Sequence, residues 1–269
     1  MQQDTGPAEP LVSVIIPTRH RLALLRRAIA SVDAQTYQNI EIIVVDNFAE
    51  APLTREDVAS NRPLSIVRTD SMSPLPVTRN FGAARSNGAF LCFLDDDDAY
   101  TPAKAREEAD ALIADPSLDF VFGDTEQIGV HGETLVVSSG PSDITRYLRW
   151  RYITMNALMI RRESFERVKF NPEMTTYEDV EFMGRVLRDH TGFHIPHVHA
   201  VYNRDNRPDQ MTRRNWRRAH ENWRRLCHRF DKEIMAEASL RRFYHRKMLV
   251  LAMMFGDVRQ AAISAARIF

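Results

Sequence analysis

The sequence AFLCFLDDDD, residues 89–98, joins an apolar run to four consecutive carboxylates, those of Asp95, Asp96, Asp97 and Asp98. A short apolar run bounded in this way predicts a buried strand, and open α/β sheets bind their ligands at such strand ends. Adjacent carboxylates repel one another unless they share a cation. Oxygen ligands suit Mg²⁺ or Mn²⁺, which in turn usually hold phosphates. The stretch therefore predicts a metal and diphosphate site, and a solvated acidic turn is the alternative interpretation.

Two further strand ends are predicted to share this edge. Residues 11–16 are an apolar run followed by Pro17 and Thr18, and a second run, residues 40–45, ends at Asp46. Between them, apolar residues recur at helical spacing. A strand, a helix and a strand in this order form a parallel βαβ unit, whose strand ends lie at one edge. The alternation continues, so we predict an α/β fold with a mixed, mostly parallel sheet flanked by helices.

Composition and charge bound the class of protein. The chain has 269 residues, of which 44% are hydrophobic and 27% charged, which fits one large globular domain with or without an appended element. Lys plus Arg and Asp plus Glu are 36 each, so the net charge indicates no class of partner. The two cysteines, Cys92 and Cys227, support neither a disulfide framework nor a cysteine-based zinc site. We expect a reducing compartment.

The ends of the chain lack targeting signals. Residues 1–10 do not combine a basic cluster with an apolar core, so they predict a flexible tail rather than a signal peptide. Near the other end, the apolar run at residues 248–255 is shorter than the roughly 20 residues that cross a bilayer. We therefore expect a cytoplasmic protein, with peripheral contact to the inner membrane face as the one variation.

Two other clusters carry titratable groups. Glu178 and Asp179 follow Tyr177 at the predicted start of a helix, where the helix dipole alone would favour acids. His197 and His199 lie on one face of a later strand, because side chains alternate along strands. We interpret these histidines as ordinary strand residues, with a metal-ligand role as the alternative.

The C-terminal segment is basic and amphipathic. Residues 213–229 hold seven arginines against the single acid Glu221, and a helix would align apolar side chains in one stripe, that of Trp216, Ala219, Trp223, Leu226 and Phe230. We expect this stripe to pack on the rest of the protein. A second interpretation places the 213–230 helix on an anionic membrane. Nucleic acid is not expected, since no known binding module accompanies the charge.

Five blocks of the sequence together resemble the family 2 glycosyltransferases, which are inverting enzymes of the GT-A fold that use nucleotide-sugar donors. The blocks occur in the family's order: Val14–Thr18, Glu41–Asp46, Thr78–Gly82, Phe93–Asp98 and Tyr177–Asp179. The resemblance covers about residues 11–205. It implies a Rossmann-like GT-A catalytic domain over residues 11–210, preceded by a tail at 1–10 and followed by a helical extension at 211–269.

The resemblance also implies roles for residues that bind the donor. Pro17 and Thr18 match the pair that cradles the nucleotide, Asp46 matches the acid that binds the pyrimidine base, and Arg79 matches an arginine that holds the nucleotide. This sequence departs from the family after Asp46, where Asn47-Phe48 replaces the common Asp and Gly-Ser pattern. The departure leaves the base open, and UDP is the default expectation.

The acidic block matches the family's Asp-x-Asp pattern. Asp95 and Asp97 are therefore expected to contact the metal and the nucleotide, with Asp97 as the direct ligand of Mn²⁺ or Mg²⁺ and Asp96 near the ribose. A segment after the last core strand, residues 204–212, resembles one that closes over the diphosphate, and Arg204 or Arg207 would make that contact.

Glu178 and Asp179 match the block that supplies the general base, and Asp179 is the aspartate in question. An acceptor hydroxyl must lose a proton as it attacks the anomeric carbon, and a single carboxylate is sufficient for one displacement with inversion. We therefore predict sugar transfer from a nucleotide-diphosphate donor to a glycan, a lipid-linked molecule or another hydroxyl acceptor. The alternatives are a nucleotidyltransferase acting on sugar phosphates and a non-catalytic module that binds nucleotide sugars.

Overall fold

The computed structural model describes residues 9–129, 131–137, 140, 142–150, 153–203 and 216–268. Its strands are β1 (Val12–Thr18), β2 (Ile40–Asp46), β3 (Leu64–Arg68), β4 (Phe90–Phe93), β5 (Ala99–Tyr100), β6 (Phe120–Ile128), β7 (Thr134–Val137), β8 (Leu158–Arg161) and β9 (Gly192–Asn203). Its helices are α1 (Leu22–Asp33), α2 (Leu75–Ala83), α3 (Lys104–Ala114), α4 (Ile144–Trp150), α5 (Arg162–Val168), α6 (Glu178–Asp189), α7 (Trp216–Arg229), α8 (Asp231–Ala236), α9 (Ala238–Met254) and α10 (Val258–Ile268).

In the described ranges, these strands form one mixed sheet in the order β3-β2-β1-β4-β8-β6-β9-β5, with β7 paired to β6. The half that contains β3, β2, β1 and β4 is parallel. The strands β8, β7 and β5 pair in the antiparallel direction. Helices flank the sheet, so the predicted α/β fold with a mixed, mostly parallel sheet is confirmed.

The apolar runs form strands because both faces of the sheet are covered. All seven residues of β1 are buried. Along the chain, Ile15 faces one apolar core together with Ile43 and Phe93, while its neighbour Val14 faces the other core. For this reason, parallel strands that are covered by helices on both faces have nearly continuous hydrophobic sequences. The register between β1 and β2 places Thr18 beside Asp46 at the predicted edge.

Helix α2 packs against β1 and β2 through a glycine. A Cβ atom at Gly82 would lie 2.6 Å from Ile15 Cγ2 and 2.7 Å from Val45 Cγ2, so a larger residue would push the helix away from the sheet. Two residues earlier, the Asn80 side chain donates to the carbonyl of Phe170 (2.8 Å) and accepts from its backbone N–H (3.0 Å). These contacts fix the helix that carries Arg79.

Contacts between distant parts of the chain occur at several element boundaries. Helix α3 begins at Lys104, and the hydroxyl of Thr101, three residues earlier, donates to the carbonyl of Val198 (2.7 Å) instead of capping the helix. Strand β8 begins at Leu158, after a 3₁₀ turn over Met155–Ala157. The two-residue strand β5 was not predicted, because its pairing depends on the distant strand β9.

The C-terminal helices share an apolar core with the sheet. Trp223, Leu226 and Phe230 are fully buried in the same cluster as Phe93 and Phe182. Helix α6 lies close to Phe230, whose ring would be 2.4 Å from a Cβ atom at position 184. Within the described part of the 213–230 segment, the apolar stripe therefore packs on the protein, as expected. Among the described residues, no helix has the length and apolar character needed to span a bilayer.

Trp223 also supports the segment that leads into helix α6. Its ring stacks on Tyr244 with centroids 4.6 Å apart and meets the ring of Tyr177 edge-on at 5.3 Å. The adjacent Asn222 contacts Thr175 and Thr176. Helix α7 therefore holds the residues that precede Glu178 and Asp179 in place.

Replacing Trp223 by alanine is expected to lower the free energy of unfolding by about 3–5 kcal/mol, because it removes a fully buried aromatic ring and leaves a cavity. The measurement is chemical denaturation. Trp150→Ala is the matched control, since the Trp150 side chain is 66% exposed, and we expect a change below about 1 kcal/mol. Equal losses in the two variants would contradict the buried position of helix α7.

Candidate active site

The carboxyl ends of three parallel strands meet at one edge of the sheet. Thr18 ends β1, Asp46 ends β2, and the acidic turn of residues 95–98 follows β4. The Thr18 hydroxyl donates to the Asp96 carboxylate over 2.6 Å, which joins the first and third of these ends. The structure therefore brings together the residues that the strand pattern predicted to share an edge.

The four aspartates of the acidic turn point in alternating directions. The side chains of Asp95 and Asp97 are 30% and 18% exposed, whereas that of Asp96 is fully buried. Asp98 is 1% exposed. The backbone N–H of Asp98 donates to the carbonyl of Asp95 over 3.1 Å and closes the turn. Among the four acids, Asp95 and Asp97 are the two whose side chains are partly exposed.

The inward acids are held by the surrounding protein. Asp98 accepts from the backbone N–H of Asn203 over 3.0 Å and from the Asn156 side chain. Asn156 also accepts from the N–H of Asp95 at 3.1 Å. Asp96 accepts from Arg21 Nε at 3.0 Å, and Arg21 Nη1 lies 3.2 Å from Asp97. Asp96 and Asp98 thus fix the turn, while Asp95 and Asp97 remain accessible to a ligand.

Burial changes the protonation of the inward acids. It raises the pKa of Asp96 to about 7, although the charge of Arg21 and the hydrogen bond from Thr18 act in the opposite direction. Burial also raises the pKa of Asp98 well above its usual value. Burial therefore favours the neutral form of both inward acids.

Arg79 connects the acidic turn with the start of helix α6. Its guanidinium is buried, with Nη2 2.7 Å from Asp95 and Nη1 3.5 Å from Glu178. It also lies over the ring of Phe170, 5.3 Å from the centroid. Arg79 therefore holds two acidic groups from distant parts of the chain on opposite sides of one cation.

Glu178 and Asp179 form the first turn of helix α6. The preceding residue, Tyr177, has a left-handed backbone (φ 60°), a strained conformation for an aromatic residue that often marks a functional site. Burial, followed by the negative charge of Asp179, raises the pKa of Glu178 to about 7. The Asp179 carboxylate accepts from the N–H of Val180 over 2.8 Å. The two adjacent acids thus have different surroundings. In active sites, such a difference lets one carboxyl group act as an acid and its neighbour as a base.

The raised pKa of Glu178 predicts a pH-dependent stability. A buried acid whose folded-state pKa is near 7 favours folding below its unfolded value and loses that contribution as pH rises through 7. Glu178→Gln removes the titration. We therefore expect the difference in Tm, variant minus wild type, to increase by several degrees between about pH 5.5 and about pH 8. Thermal unfolding in metal-free buffers measures it, and a constant or falling difference would contradict the assignment.

Asp46 anchors the loop that follows β2. It is 1% exposed and accepts from the backbone N–H groups of Ala49 (3.0 Å) and Leu53 (3.2 Å).

The next residue, Asn47, donates to the carbonyl of Ser73 over 2.8 Å. Phe48 has a positive φ of 54° and is 44% exposed beside Arg68. An aromatic ring therefore stands at the rim of this loop, where the departure from the family pattern occurs.

Two histidines of β9, His197 and His199, contact helix α3. His197 contacts Glu107 at 2.8 Å, and His199 contacts Glu107 at 2.9 Å and Glu108 at 2.7 Å. His194 pairs with Asp124 instead, at 2.7 Å. Glu107, His197 and His199 present ligand atoms within 4.8 Å of one another, so this group could hold a metal ion apart from the acidic turn.

Three contributors to the site were not predicted. Arg21, Asn156 and Asn203 orient the acidic turn from the loop after β1, the turn before β8 and the end of β9. Arg21 had a local signal, since it lies three residues after Thr18. The two asparagines had none, because their partners are distant in sequence. Arg204 and Arg207, predicted to contact the diphosphate, lie outside the described residues.

Comparison with known sequences identifies one family. The sequence profile described as "Glycosyl transferase family 2" matches residues 13–171. An uncharacterized glycosyltransferase of Haemophilus influenzae is 27% identical over 66% of this chain and 63% of its own length. Succinoglycan biosynthesis protein ExoW of Rhizobium meliloti is 26% identical over 64% of this chain and 61% of its own. In Myxococcus xanthus, O-antigen biosynthesis protein RfbC is 27% identical, with 59% of this chain and 13% of that protein covered.

The fold is similar to that of solved structures. TarS residues 1–349 of S. aureus, in complex with UDP-GlcNAc, align with a TM-score of 0.65 over 91% of this chain and 73% of that one. The sequence identity is 17%, so this likeness concerns the fold. The predicted GT-A architecture, with helices after the sheet, is confirmed by this comparison. This chain spans less than two thirds of the length of the first two relatives named above.

Proposed function

Because the chain belongs to glycosyltransferase family 2, we propose that it transfers a sugar from a nucleotide-diphosphate donor to a hydroxyl acceptor with inversion at the anomeric carbon. One observation carries the proposal: Arg79 contacts both Asp95 in the acidic turn and Glu178 at the start of helix α6, next to Asp179. This arrangement supplies carboxylates for a metal-bound diphosphate on one side and a base on the other.

The donor is proposed to lie across the three strand ends. Asp46 would accept a hydrogen bond from the base, with Pro17 and Thr18 beside the nucleotide and Asp96 near the ribose. Thr18 lies opposite Asp46 in the sheet, which supports a shared pocket. The complex of TarS with UDP-GlcNAc supports a UDP-sugar as the default donor. Arg204, together with Arg207, is proposed to contact the diphosphate.

Asp97 and Asp95 would hold the Mn²⁺ or Mg²⁺ ion. Both side chains are partly exposed and offer oxygen ligands, which fits such an ion, whereas Asp96 and Asp98 are buried. When bound, the ion supplies positive charge to the leaving diphosphate. Arg21 and Arg79 already bring fixed positive charge to the same acids.

Asp179 is proposed as the general base. It would take the proton of the acceptor hydroxyl while that oxygen attacks the anomeric carbon and the bond to the diphosphate breaks. Glu178, whose pKa is raised to about 7 by burial and the charge of Asp179, would hold a proton beside the proposed base. Its contact with Arg79 positions it toward the donor side.

The acceptor is proposed to be a glycan or a lipid-linked molecule. Relatives named for O-antigen and succinoglycan biosynthesis support a role in polysaccharide synthesis. Because the described part of the apolar stripe on α7 is buried, a peripheral contact with an anionic membrane would depend on its exposed arginines, such as Arg217 and Arg218. The cytoplasmic location and the division of the chain at residue 210 stay predictions.

A donor screen tests the proposal. The protein is heated with UDP-, GDP-, CMP- and dTDP-sugars, with and without Mn²⁺, and we expect a UDP-sugar with Mn²⁺ to raise Tm by about 3 °C or more. The same mixture is then analysed for slow donor hydrolysis. Binding without turnover under all conditions would favour the non-catalytic module. Turnover of a nucleoside triphosphate with a sugar phosphate would favour the nucleotidyltransferase.

A further inference from the structure

A line of polar side chains crosses the face of the sheet between helix α3 and strand β9. It begins at Lys104, which is fully buried and pairs with Glu108. Glu108, also fully buried, contacts His199 Nδ1 at 2.7 Å, and the other ring nitrogen of His199 contacts Glu107. The line ends at His197, which is 64% exposed. None of these residues takes part in the proposed transfer reaction.

Three groups converge at the outer end of this line. Glu107 Oε2 lies 2.8 Å from His197 Nδ1 and 2.9 Å from His199 Nε2, and the three ligand atoms are within 4.8 Å of one another. Two histidines separated by one residue present their rings to the same side of a strand. Glu107 meets them from the first turn of α3. Zinc sites commonly use two histidines and one carboxylate, with bonds of about 2.0–2.2 Å.

At the inner end of the line, Glu108 and Lys104 are placed as the residues that support a metal-binding histidine usually are. A histidine that binds a metal usually donates its other ring N–H to a carboxylate, which fixes the ring and its tautomer. Glu108 is placed to accept such a bond from His199 Nδ1, and Lys104 in turn neutralises Glu108. Both residues are fully buried, so this support is rigid and protected from solvent.

We propose that Glu107, His197 and His199 form a binding site for Zn²⁺ that is separate from the metal position at Asp95 and Asp97. Imidazole ligands suit transition metals such as Zn²⁺, whereas the oxygen-only acidic turn suits Mn²⁺ or Mg²⁺. The ion would link helix α3 to strand β9. Since Asn203 at the end of β9 bonds to the Asp97 carbonyl at 2.8 Å, this link supports the wall of the acidic turn.

The test is a titration of the metal-free, full-length protein with Zn²⁺ in the presence of a chromophoric chelator and excess Mg²⁺. We expect one Zn²⁺ per chain with a Kd on the order of 1 μM or tighter, and a rise in Tm of about 5 °C at saturation. Co²⁺ bound at the same position should give the visible absorption that is typical of a low coordination number. These readouts do not depend on sugar transfer.

Matched variants separate this site from others on the chain. His197→Ala should weaken Zn²⁺ binding at least about tenfold, and its exposed position predicts a metal-free Tm close to that of wild type. His131→Ala, which removes an exposed histidine elsewhere, and Asp97→Asn should both retain the wild-type Kd. Wild-type protein that binds no Zn²⁺, or a His197→Ala variant that binds it unchanged, would overturn the proposal.

Discussion

Asp97→Asn is expected to remove the Mn²⁺-dependent part of donor binding and to lower the transfer rate by about 10²–10³-fold. Asp97 is one of the two acids of the turn with a partly exposed side chain, and an asparagine in its place removes a negative charge from the proposed metal position. We do not expect the inward acids to replace it, because Asp96 and Asp98 are almost fully buried.

Donor titration by calorimetry, with and without Mn²⁺, measures this prediction. The variant should bind the donor with one affinity in both buffers, whereas the wild type should bind more tightly with Mn²⁺. Asp110→Asn serves as the control, since its side chain is 56% exposed on helix α3. An Asp97→Asn variant that still gains affinity from Mn²⁺ would show that another carboxylate of the turn is the ligand.

Asp179→Asn is expected to leave donor binding intact and to lower the transfer rate by about 10²–10⁴-fold, the usual contribution of a general base. The amide retains the size of the carboxylate but cannot accept a proton at neutral pH. The helix should remain in place, because its start is held by Tyr177 against Trp223.

Single-turnover transfer with saturating donor and acceptor tests the second variant. Donor affinity from the same preparation shows whether the loss is confined to the chemical step. The matched control is Asp189→Asn at the far end of the same helix, where the side chain is 50% exposed. Transfer at the wild-type rate in Asp179→Asn would refute the base assignment.

The two variants separate the two sides of the site. Asp97→Asn acts on the donor and should change affinity together with rate, whereas Asp179→Asn should change the rate alone. Arg79 lies between the two groups and contacts Asp95 and Glu178. If both variants lost donor binding equally, the helix-start acids would belong to the donor site rather than to the acceptor side.

The local sequence was sufficient to predict the strands that end at the candidate active site. Continuous apolar runs at residues 11–16, 40–45 and 89–94 predicted buried parallel strands, and the chain direction then required Thr18, Asp46 and the acidic turn to share an edge. The structure agrees, with Thr18 opposite Asp46 in the register. Such predictions succeed because burial on both faces of a parallel sheet favours apolar residues at most positions.

The sequence failed where partners are distant along the chain. It gave no sign that Asn156 and Asn203 would hold Asp98, or that His199 would meet Glu108. The basic helix had two interpretations, and the buried Trp223 decided for packing within the described part of that segment. Each of these contacts joins residues that only the folded chain brings together.

The amino-acid sequence by itself determined the fold class, the family and the strand edge at which the acids gather, because hydrophobic periodicity and motif order are local properties. Only the tertiary structure decided which carboxylates of the acidic turn are partly exposed and which are buried. That choice depends on Thr18, Arg21 and two asparagines, which satisfy Asp96 and Asp98 in the interior. Buried carboxylates need hydrogen-bond partners. The direction of each side chain therefore depends on where the folded chain places such partners.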